Sequence, residues 1–337
     1  MRFGPVPLKD AEGAILAHSL QGASGKVAKG TVLTADDLKD LAAAGHETLT
    51  VARLDPADMH EDAAAETLAK ALVPDPSAQG IRISGAGTGR VNLYATGAGL
   101  VRLDRGKLEA VNAVDPMITV ATVPDYHRAD AGGMLATIKI ISYGVRADAI
   151  RRASSGAGDA IRVLPPVLSS ATLIETTVSE DTPPDNLPDK GRAAMAGRLH
   201  RMGLSLSARV VVPHREDALA EAITRAPGQL VLILTGSATS DIHDVAPEAL
   251  RIAGGTMTRF GMPVDPGNLL FLGTCRDKPV IGLPGCARSP ALNGADWVLE
   301  RVICGLPVRS ADIAAMGVGG LLKEIPTRPM PRRDAEG

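Results

Sequence analysis

Short apolar runs alternate with amphipathic stretches through the second half of the chain. In each amphipathic stretch the apolar residues recur at the three- and four-residue spacing of one helix face. This alternation predicts βαβ units, and hence a parallel sheet covered by helices. The predicted strands and the helices that follow them are residues 171–178 and 189–202, 208–212 and 216–226, and 230–235 and 245–253.

A hairpin and a last helix follow these units. Residues 269–273 and 279–283 are apolar and flank a short polar turn, which predicts two antiparallel strands. Ser289 is the expected N-cap of the last helix, with Pro290 in its first turn and Gly305 at its end. One apolar stripe of this helix is expected to pack against the sheet: Leu292, Ala295, Leu299, Val302 and Ile303.

The first half of the chain has a different pattern. Thr34, followed three residues later by Asp37, predicts a capped helix that ends near Gly45. Residues 81–145 alternate or run apolar in short segments separated by glycine-containing turns, which predicts a β-rich region. A polar interval then ends at Pro165-Pro166, which predicts a boundary because proline cannot continue a helix.

These patterns divide the chain into four regions. A length of 337 residues is enough for more than one domain. The last stretch contains glycine and proline among basic residues, which is typical of a linker or tail. The predicted regions are an N-terminal α+β segment at 1–60, a β-rich domain at 61–165, an α/β domain with a parallel or mixed sheet at 166–310, and a linker or tail at 311–337.

Composition and charge exclude several classes of protein. The 36 basic and 38 acidic residues give a formal net charge of -2, so no overall field attracts nucleic acid or an anionic membrane. Aromatic residues make up 2% of the chain, too few for platforms that stack single-stranded nucleic acid. The three cysteines form no CxxC pair, and neither a signal core nor an apolar run of about 20 residues occurs, which predicts a cytoplasmic protein outside the membrane.

The loop at residues 235–244 follows the most apolar predicted strand and precedes a helix. Ligands of open parallel sheets lie beyond the carboxyl ends of the strands, where helix N-termini favour anions. Asp241 and Asp244 could hold Mg²⁺ or position an oxyanion. Alternatively, Asp244 only caps the helix that starts near Val245. The hydroxyl-bearing and small residues of this loop that are candidates for ligand binding are Thr235, Gly236, Ser237, Thr239 and Ser240.

A second loop between a strand and a helix spans residues 282–290. Gly285 permits a tight turn, and the guanidinium of Arg288 can fork onto a phosphate or carboxylate. Cys286 lies near the expected start of the last helix, where a thiol pKa can be lowered. The alternatives are a plain connecting turn and a buried, unreactive thiol.

Several motifs in this order resemble the molybdopterin-binding domain of the MoeA family of molybdenum-cofactor biosynthesis proteins. Gly282-Leu283-Pro284-Gly285 follows the hairpin, and Asp265-Pro266-Gly267-Asn268 precedes it. The Thr235-Gly236 loop is followed by Glu248-Ala249-Leu250. Residues 282–308 are most similar to a subfamily often joined to a C-terminal molybdopterin nucleotidyltransferase domain. The resemblance implies an α/β fold in which a three-layer molybdopterin-binding domain with a parallel or mixed sheet is preceded by a β-rich domain.

Some family motifs are altered in this sequence. Residues 177–180 stand where the family has Thr-Gly-Asp-Glu, and Arg215-Glu216-Asp217 stands where it has Arg-Asp-Asp. Residues 236–241 replace the family's Gly-Gly-Val-Ser-Val-Gly loop, and residues 265–268 replace Lys-Pro-Gly-Lys. Both lysines expected near a phosphate are therefore missing, and Arg288 on the neighbouring loop is expected to offset this missing charge.

The resemblance also implies a substrate, an activity and a set of site residues. The implied substrate is molybdopterin or its nucleotide adduct, and the implied activity is Mg²⁺-assisted molybdate insertion by a homodimer. The residues implied as catalytic are Glu180, Glu216, Asp217 and Asp244, and those implied as metal ligands are Asp241 and Asp244. The residues implied in substrate binding are Thr235, Gly236, Ser237, Thr239, Ser240, Pro266, Gly267, Asn268, Pro284, Gly285, Cys286, Arg288 and Ser289.

Two other functions remain open at this point. One is a non-catalytic carrier that hands molybdopterin to a separate nucleotidyltransferase or to a molybdoenzyme; the missing lysines favour it and the retained acids oppose it. The other is a nucleotide pyrophosphatase similar to CinA-type proteins. The glycine-rich loop of a nucleotidyltransferase does not occur before Gly337. A nucleotidyltransferase is therefore expected as a separate partner. His214 and His243 are interpreted as solvated turn residues.

Overall fold

The computed structural model describes residues 1–178 and 188–322. The chain divides into two compact units, one made of residues 1–97 and 101–164 and the other of residues 98–100 with the chain from residue 165 on. No helix within the described residues combines the length and the apolar character needed to cross a membrane. Glu180 lies outside the described residues.

The first sixty residues form a small sheet with one helix. The elements are β1 (Arg2–Pro7), β2 (Ile15–Leu16), β3 (Leu20–Gln21), β4 (Lys26–Val27), α1 (Ala35–Ala43), β5 (Thr48–Arg53) and β6 (Asp58–His60). β5 lies between β1 and β2 and is antiparallel to both. Leu38 and Leu41 of α1 join a buried cluster with Leu16, Leu49 and Val51 of the sheet.

Helix α1 begins at the cap that the sequence predicts. Thr34 Oγ1 accepts the Asp37 N–H at 3.2 Å, and the Asp37 carboxylate accepts the Thr34 N–H at 2.8 Å. This reciprocal pair satisfies two backbone donors that the helix itself leaves open. Hydrogen bonds from the Thr34 side chain and backbone hold the pKa of Asp37 below its usual value. Gly45, at φ +88°, follows the end of the helix, as predicted.

We expect Thr34→Ala to lower the free energy of unfolding by about 1 kcal/mol, because the Asp37 N–H loses its acceptor. The folded pKa of Asp37 is depressed, so its contribution is present above the unfolded pKa near 3.8 and is lost as the pH falls through the folded value. Urea unfolding at neutral and acid pH measures both effects. Thr34→Ser keeps the hydroxyl and is the control; equal stability of all three proteins at neutral pH would contradict the prediction.

The rest of the first unit is β-rich, as predicted, and helices pack on its sheets. Its strands are β7 (Ile81–Ile83), β8 (Arg90–Ala95), β9 (Gly99–Leu103, of which the part from residue 101 belongs to this unit), β10 (Ile118–Thr122), β11 (Arg128–Ala129), β12 (Met134–Ile140), β13 (Gly144–Arg146) and β14 (Ile161–Leu164). Its helices are α2 (Glu61–Leu72), α3 (Pro76–Gln79), α4 (Arg105–Ala113) and α5 (Ala147–Ser154). The sheets have the strand orders β10-β12-β8-β7 and β11-β9-β14. Leu68 of α2 and Ile150 of α5 share one buried cluster with Leu93 and Ile138 of the first sheet.

Helix α4 lies in a region whose pattern predicts strands. Asp104 caps it by accepting the Lys107 N–H at 3.0 Å, and Leu108 and Val111 are its buried residues. A stripe of two buried residues is too short to be recognised as helical periodicity, because the segments on either side of α4 are strongly apolar. Residues 81–145 are β-rich as predicted, and α4 is an element within them that the pattern did not indicate.

The second unit contains one mixed sheet. Its elements are β15 (Ser170–Thr177), α6 (Lys190–Arg201), β16 (Ser205–Leu206), β17 (Val210–Pro213), α7 (Glu216–Arg225), β18 (Leu230–Leu234), α8 (Val245–Ile252), β19 (Thr256–Phe260), β20 (Phe271–Cys275), β21 (Lys278–Gly282), α9 (Gly294–Ile303) and α10 (Ser310–Ala314). The strand order is β16-β15-β18-β21-β20-β19, and β17 also pairs with β15. β15 to β18 and β21 are parallel, while β20 and β19 form the antiparallel continuation.

Helices cover both faces of this sheet. Ile174 and Ile233 pack on one face against Leu219 of α7 and Leu250 of α8. Successive strand residues point to opposite faces, and on the other face a methyl group added at Gly191 of α6 would lie 2.9 Å from Leu234. Helix α9 is joined to α6 on that face by a buried ion pair. The structure confirms the predicted fold class, a three-layer α/β domain with a mixed sheet preceded by a β-rich region.

The last helix starts later than the sequence pattern predicts. Asn293 is its N-cap, and the Asp296 carboxylate accepts the Asn293 N–H in return at 2.8 Å. Ser289 and Pro290 therefore belong to the preceding loop, and Leu292 is 43% exposed outside the stripe. Ser-Pro satisfies the local rule for a helix start, but the reciprocal cap at Asn293 satisfies two backbone donors and prevails. The other predicted stripe residues are buried: Ala295, Leu299, Val302 and Ile303.

Part of the predicted tail is folded. Helix α10 lies within it, and Ile313, Met316 and Leu322 are buried. The Leu322 N–H also donates to the Asp265 carbonyl at 2.9 Å. The prediction of a linker or tail is wrong up to residue 322, because these apolar side chains are buried although they are too few to make a clear periodic stripe. Residues 323–337 lie outside the described residues.

Candidate functional site

Several loops meet at one edge of the sheet in the second unit. The carboxyl ends of β15, β17, β18 and β21 lie there because these strands are parallel. β20 begins and β19 ends at the same edge, since each is antiparallel to its neighbour. The two loops that the sequence marked as candidates, near Gly236 and Gly285, therefore lie side by side, as predicted.

Two hydrogen bonds join the ends of β18 and β21. The Leu283 N–H donates to the Ile233 carbonyl at 2.8 Å, and Arg288 Nη2 donates to the Thr235 carbonyl at 2.6 Å. The half-buried Arg288 side chain also passes the start of α6, where a methyl group added at Gly191 would lie 3.3 Å from its Nη1. The bond to Thr235 is the one hydrogen bond of this guanidinium within residues 1–178 and 188–322. Arg288 thus connects the two loops, a role that the sequence did not indicate.

Polar groups of the loop after β18 bond mostly to one another. Asp244 Oδ1 accepts the Val245 N–H at 2.7 Å, and its Oδ2 accepts the Ser240 N–H at 3.1 Å. Asp241 accepts the His243 N–H at 2.8 Å. Asp244 is therefore the helix cap of the alternative interpretation, and both of its oxygens already accept a backbone N–H.

The acidic residues implied in Mg²⁺ binding do not converge in the part of the chain that is described, where no three His, Cys, Asp or Glu side chains are grouped closely enough to hold an ion. Arg215 forks onto the Asp217 carboxylate at 3.1 and 3.0 Å and thereby holds the pKa of that carboxyl below its usual value. Glu216 is exposed at the start of α7. These carboxylates by themselves fit a Mg²⁺ centre poorly, and a role for the ion remains a prediction.

A buried hydroxyl joins three strands at the edge. Thr176 Oγ1 accepts the Gly236 N–H at 2.9 Å and lies 2.8 Å from His214 Nδ1. Gly236 is so close to β15 that a methyl group there would lie 2.6 Å from the Thr176 carbonyl oxygen. The Gly236 N–H, expected to bind phosphate, is therefore used inside the protein. His214 is half-buried and hydrogen-bonded rather than solvated, which corrects its interpretation as a turn residue.

Another buried polar group lies one residue earlier on β15. Glu175 is 4% exposed and accepts hydrogen bonds from Arg209 Nε and Nη2 at 2.9 and 3.3 Å. The same guanidinium donates to Asp189, beside the start of α6, at 2.8 Å. This pairing ties α6 to the sheet next to the edge, and no sequence motif pointed to it.

The segment at residues 265–268 is built into the fold. Pro266 and Gly267 are buried, and the Pro266 carbonyl accepts the Gly294 N–H at 2.8 Å. A methyl group added at Gly267 would lie 2.8 Å from the Gly294 nitrogen. Asn268 is exposed. The structure thus places Pro266 and Gly267 against the start of α9, and their contact with a substrate stays a prediction.

The loop after β21 passes through a short 3₁₀ segment at Gly285–Arg288. Pro284 is buried, Gly285 is exposed and Cys286 is half-buried. Because α9 begins only at Gly294, Cys286 is not beside the N-terminus of that helix. The expected lowering of its thiol pKa by the helix therefore has no structural basis.

We expect the three thiols to react at different rates. Burial raises the pKa of Cys304 to about 11, and Cys275 is also buried, whereas Cys286 is half-buried at the edge. An alkylating reagent at about pH 8 should modify Cys286 first, since the thiolate is the reactive form, and Cys304 only as the pH approaches its raised pKa. Mass spectrometry of peptides after timed labelling measures the rates, with unfolded protein as control. Equal rates for Cys286 and Cys304 in the folded protein would show the prediction to be wrong.

The edge presents hydrogen-bond donors of the kind that bind anions. The backbone N–H groups of Ser237, Ala238 and Gly285 make no hydrogen bond within the described residues, and all three residues are exposed. The guanidinium of Arg288 lies between their two loops and uses one of its N–H groups on Thr235. Backbone donors beside a cation are the groups that hold phosphates and other oxyanions. The arrangement thus suits a compound that carries a phosphate.

Comparison with known proteins gives matches for two segments of the chain. Residues 170–302 match the family described as probable molybdopterin binding domain, which confirms the resemblance to molybdenum-cofactor biosynthesis proteins for that segment. Residues 5–53 match a domain of unknown function, DUF8806. No curated protein matches the chain.

Two of the similar solved structures are from Pyrococcus species. One is the molybdopterin biosynthesis MoeA protein from Pyrococcus horikosii, 14% identical, with 90% of this chain and 75% of that chain covered and a TM-score of 0.31. The other is a molybdenum cofactor biosynthesis protein from Pyrococcus furiosus, also 14% identical, with 91% and 66% covered and a TM-score of 0.23.

Proposed function

We propose that this chain, which carries a molybdopterin-binding domain at residues 170–302, holds molybdopterin or its nucleotide adduct at the carboxyl edge of its parallel strands and passes it on. As a carrier, it would deliver the compound to a separate nucleotidyltransferase or to a molybdoenzyme. A carrier needs a site that binds the terminal phosphate and shields the dithiolene, but it needs no group that performs a chemical step.

One observation carries the proposal: the loops after β18 and β21 are joined by Arg288 at a shared edge with unused backbone donors. The match to the family of probable molybdopterin binding domains suggests molybdopterin as the compound. The edge supplies the backbone N–H groups and the positive charge that can hold its phosphate. Arg288 provides a positive charge from the second loop where the family's lysines are missing from this sequence. A guanidinium can bond to Thr235 and to a phosphate together, because its five N–H groups point in different directions.

The hydrogen bonds of the acids favour carriage over molybdate insertion. Both oxygens of Asp244 accept backbone N–H groups, and the Asp217 carboxylate is occupied by Arg215. Each of these oxygens keeps a second lone pair, but the donors already fix its orientation, and Arg215 offsets the negative charge that a Mg²⁺ ion would need at Asp217. These hydrogen bonds hold the loop after β18 and the start of α7 in place without a metal ion, and a carrier needs no metal ion for its function.

Molybdate insertion is the second candidate, and a specific observation favours it. Glu216 and Asp241 are exposed and follow β17 and β18, which end at the same edge. Two exposed carboxylates near a bound dithiolene could position a hydrated Mg²⁺. Insertion would then depend on both residues, whereas carriage would depend on neither.

Binding and turnover assays separate these functions. Purified protein is mixed with molybdopterin, and pterin fluorescence and mass analysis of the bound compound are measured. Molybdate and Mg²⁺ are then added, and transfer of molybdenum to an apo-molybdoenzyme is followed. Stoichiometric pterin binding without molybdate-dependent turnover supports carriage, and turnover supports insertion. Binding of a nucleotide pyrophosphate but no pterin would contradict both and favour a CinA-type hydrolase.

A further inference from the structure

A fully buried arginine lies behind the loop after β21. Arg198 of α6 is 5% exposed, and each of its five N–H groups faces an acceptor. Nε donates to Asp296 Oδ1 at 2.5 Å, and that carboxylate is 6% exposed. The acceptors of the other N–H groups are the carbonyls of Ala287 at 2.9 Å, Ser289 at 2.7 Å, Ala291 at 3.0 Å and Ala194 at 3.5 Å.

Three of these carbonyls belong to alternate residues of one loop. Arg288 lies between Ala287 and Ser289, whose carbonyls both point to the Arg198 guanidinium, and its own side chain reaches Thr235 on the next strand. These three carbonyls accept from the Arg198 guanidinium, whereas the Pro284 and Cys286 carbonyls accept N–H groups of the loop itself. The direction in which Arg288 leaves the loop therefore depends on Arg198.

Asp296 connects this arrangement to the start of α9. Its Oδ1 accepts from Arg198, and its Oδ2 accepts the Asn293 N–H of the helix cap at 2.8 Å. The Asp296 carboxylate thus accepts hydrogen bonds both from the arginine that contacts the loop and from the N-cap residue of α9. A buried pair of this kind is weak evidence for stability, because desolvation offsets much of its attraction. Its clearest consequence is geometric, since the planar fork bonds to several carbonyls in fixed directions.

We propose that Arg198, paired with Asp296, is a positioning residue that orients Arg288 and the loop after β21 for an anionic ligand. The inference rests on the proposed function, because the ligand is the phosphate-bearing pterin assigned to this edge. Arg198 itself does not touch the ligand, since all of its N–H groups are used inside the protein. Its removal should weaken binding while the domain remains folded.

The main test variant is R198M/D296N. Methionine fills part of the volume of Arg198 without its donors, and asparagine still accepts the Asn293 N–H but leaves no buried charge unpaired. R198K is the second variant, because a lysine keeps the charge beside Asp296 but has three N–H groups, too few for Asp296 and all three loop carbonyls. R225M removes an exposed arginine that pairs with Glu221 on α7 and is the matched control.

Three measurements are made on the full chain: urea unfolding, hydrogen exchange of the peptide at residues 284–293, and the Kd for molybdopterin by pterin fluorescence. For R198M/D296N we expect cooperative unfolding, roughly tenfold faster exchange in the loop and a roughly tenfold higher Kd. R198K should show the same changes to a smaller extent, and R225M should match the wild type. If R198M/D296N does not fold, R198K alone decides the outcome.

The results distinguish failure of the inference from failure of the proposed function. Wild-type protein that binds no molybdopterin overturns both. Wild-type binding that persists with unchanged Kd in R198M/D296N and R198K overturns the inference and leaves the proposed function standing. Unchanged loop exchange in these variants overturns the inference as well, since Arg198 would then not hold the loop.

Discussion

Gly236→Ala is expected to lower the free energy of unfolding by about 2 kcal/mol, because overpacking a close contact forces the backbone to shift. The added methyl group would lie 2.6 Å from the Thr176 carbonyl oxygen, and this oxygen belongs to a strand that cannot rotate away. Separation of the strands would also break the bond from the Gly236 N–H to Thr176 Oγ1. We therefore expect reduced molybdopterin binding as well, measured by urea unfolding and by pterin fluorescence.

Gly285→Ala is the matched control for this substitution. A methyl group at Gly285 would meet open space, and its φ lies outside the left-handed region. Its effect on the free energy of unfolding should stay within about 0.5 kcal/mol, the usual range for surface positions. Gly236→Ala as stable as Gly285→Ala would mean that the two strands separate at no cost, contrary to the geometry.

Arg288→Ala is expected to raise the Kd for molybdopterin roughly tenfold or more, because a charged hydrogen bond is worth about 1.5–3 kcal/mol. It also removes the bond to the Thr235 carbonyl that joins the two loops. Arg288→Lys should recover part of the affinity through its charge but not the forked geometry. Titration of pterin fluorescence measures both variants, with R225M, whose arginine lies on the surface of α7, as control.

Salt dependence tells a contact with the ligand from a purely structural role. If Arg288 bonds to the phosphate, wild-type affinity should fall with added salt, and the affinity of Arg288→Ala should fall less steeply. Equal salt dependence would assign Arg288 to loop structure alone. An unchanged Kd in Arg288→Ala would remove the observation on which the proposed function depends.

Much of the second unit could be predicted from its sequence. β15 and β18 contain apolar runs, and α7 has apolar residues at helical spacing. The apolar residues of both strands and the stripe of α7 are buried, as these patterns require. The order of strand and helix then places the loops near Gly236 and Gly285 on one edge, because crossover connections make neighbouring strands parallel. The sequence pattern did not predict helix α4 or the correct start of α9, since short elements are determined by caps and tertiary contacts more than by periodicity.

The candidate site was predicted less well than the fold. The candidate loops near Gly236 and Gly285 follow strands as expected, but the sequence could not show that the Gly236 N–H and both Asp244 oxygens are used within the protein. Thr176 and Arg198 carried no motif at all. Gly236, a partner of Thr176, lies 60 positions away, and Asp296, a partner of Arg198, lies 98 positions away; hydrogen bonds over such separations leave no periodic signal.

The amino-acid sequence by itself determined most strands and helices of the second unit, where the candidate loops lie along the chain, and which family the motifs of residues 170–302 resemble. These properties follow from apolar spacing and local residue chemistry. Only the tertiary structure decided which polar groups remain available at the edge, since a donor or acceptor is consumed by whichever partner the fold brings within about 3 Å. In this fold Arg288 hydrogen-bonds across to Thr235 on the neighbouring loop, and Arg198 hydrogen-bonds to the carbonyls on either side of Arg288.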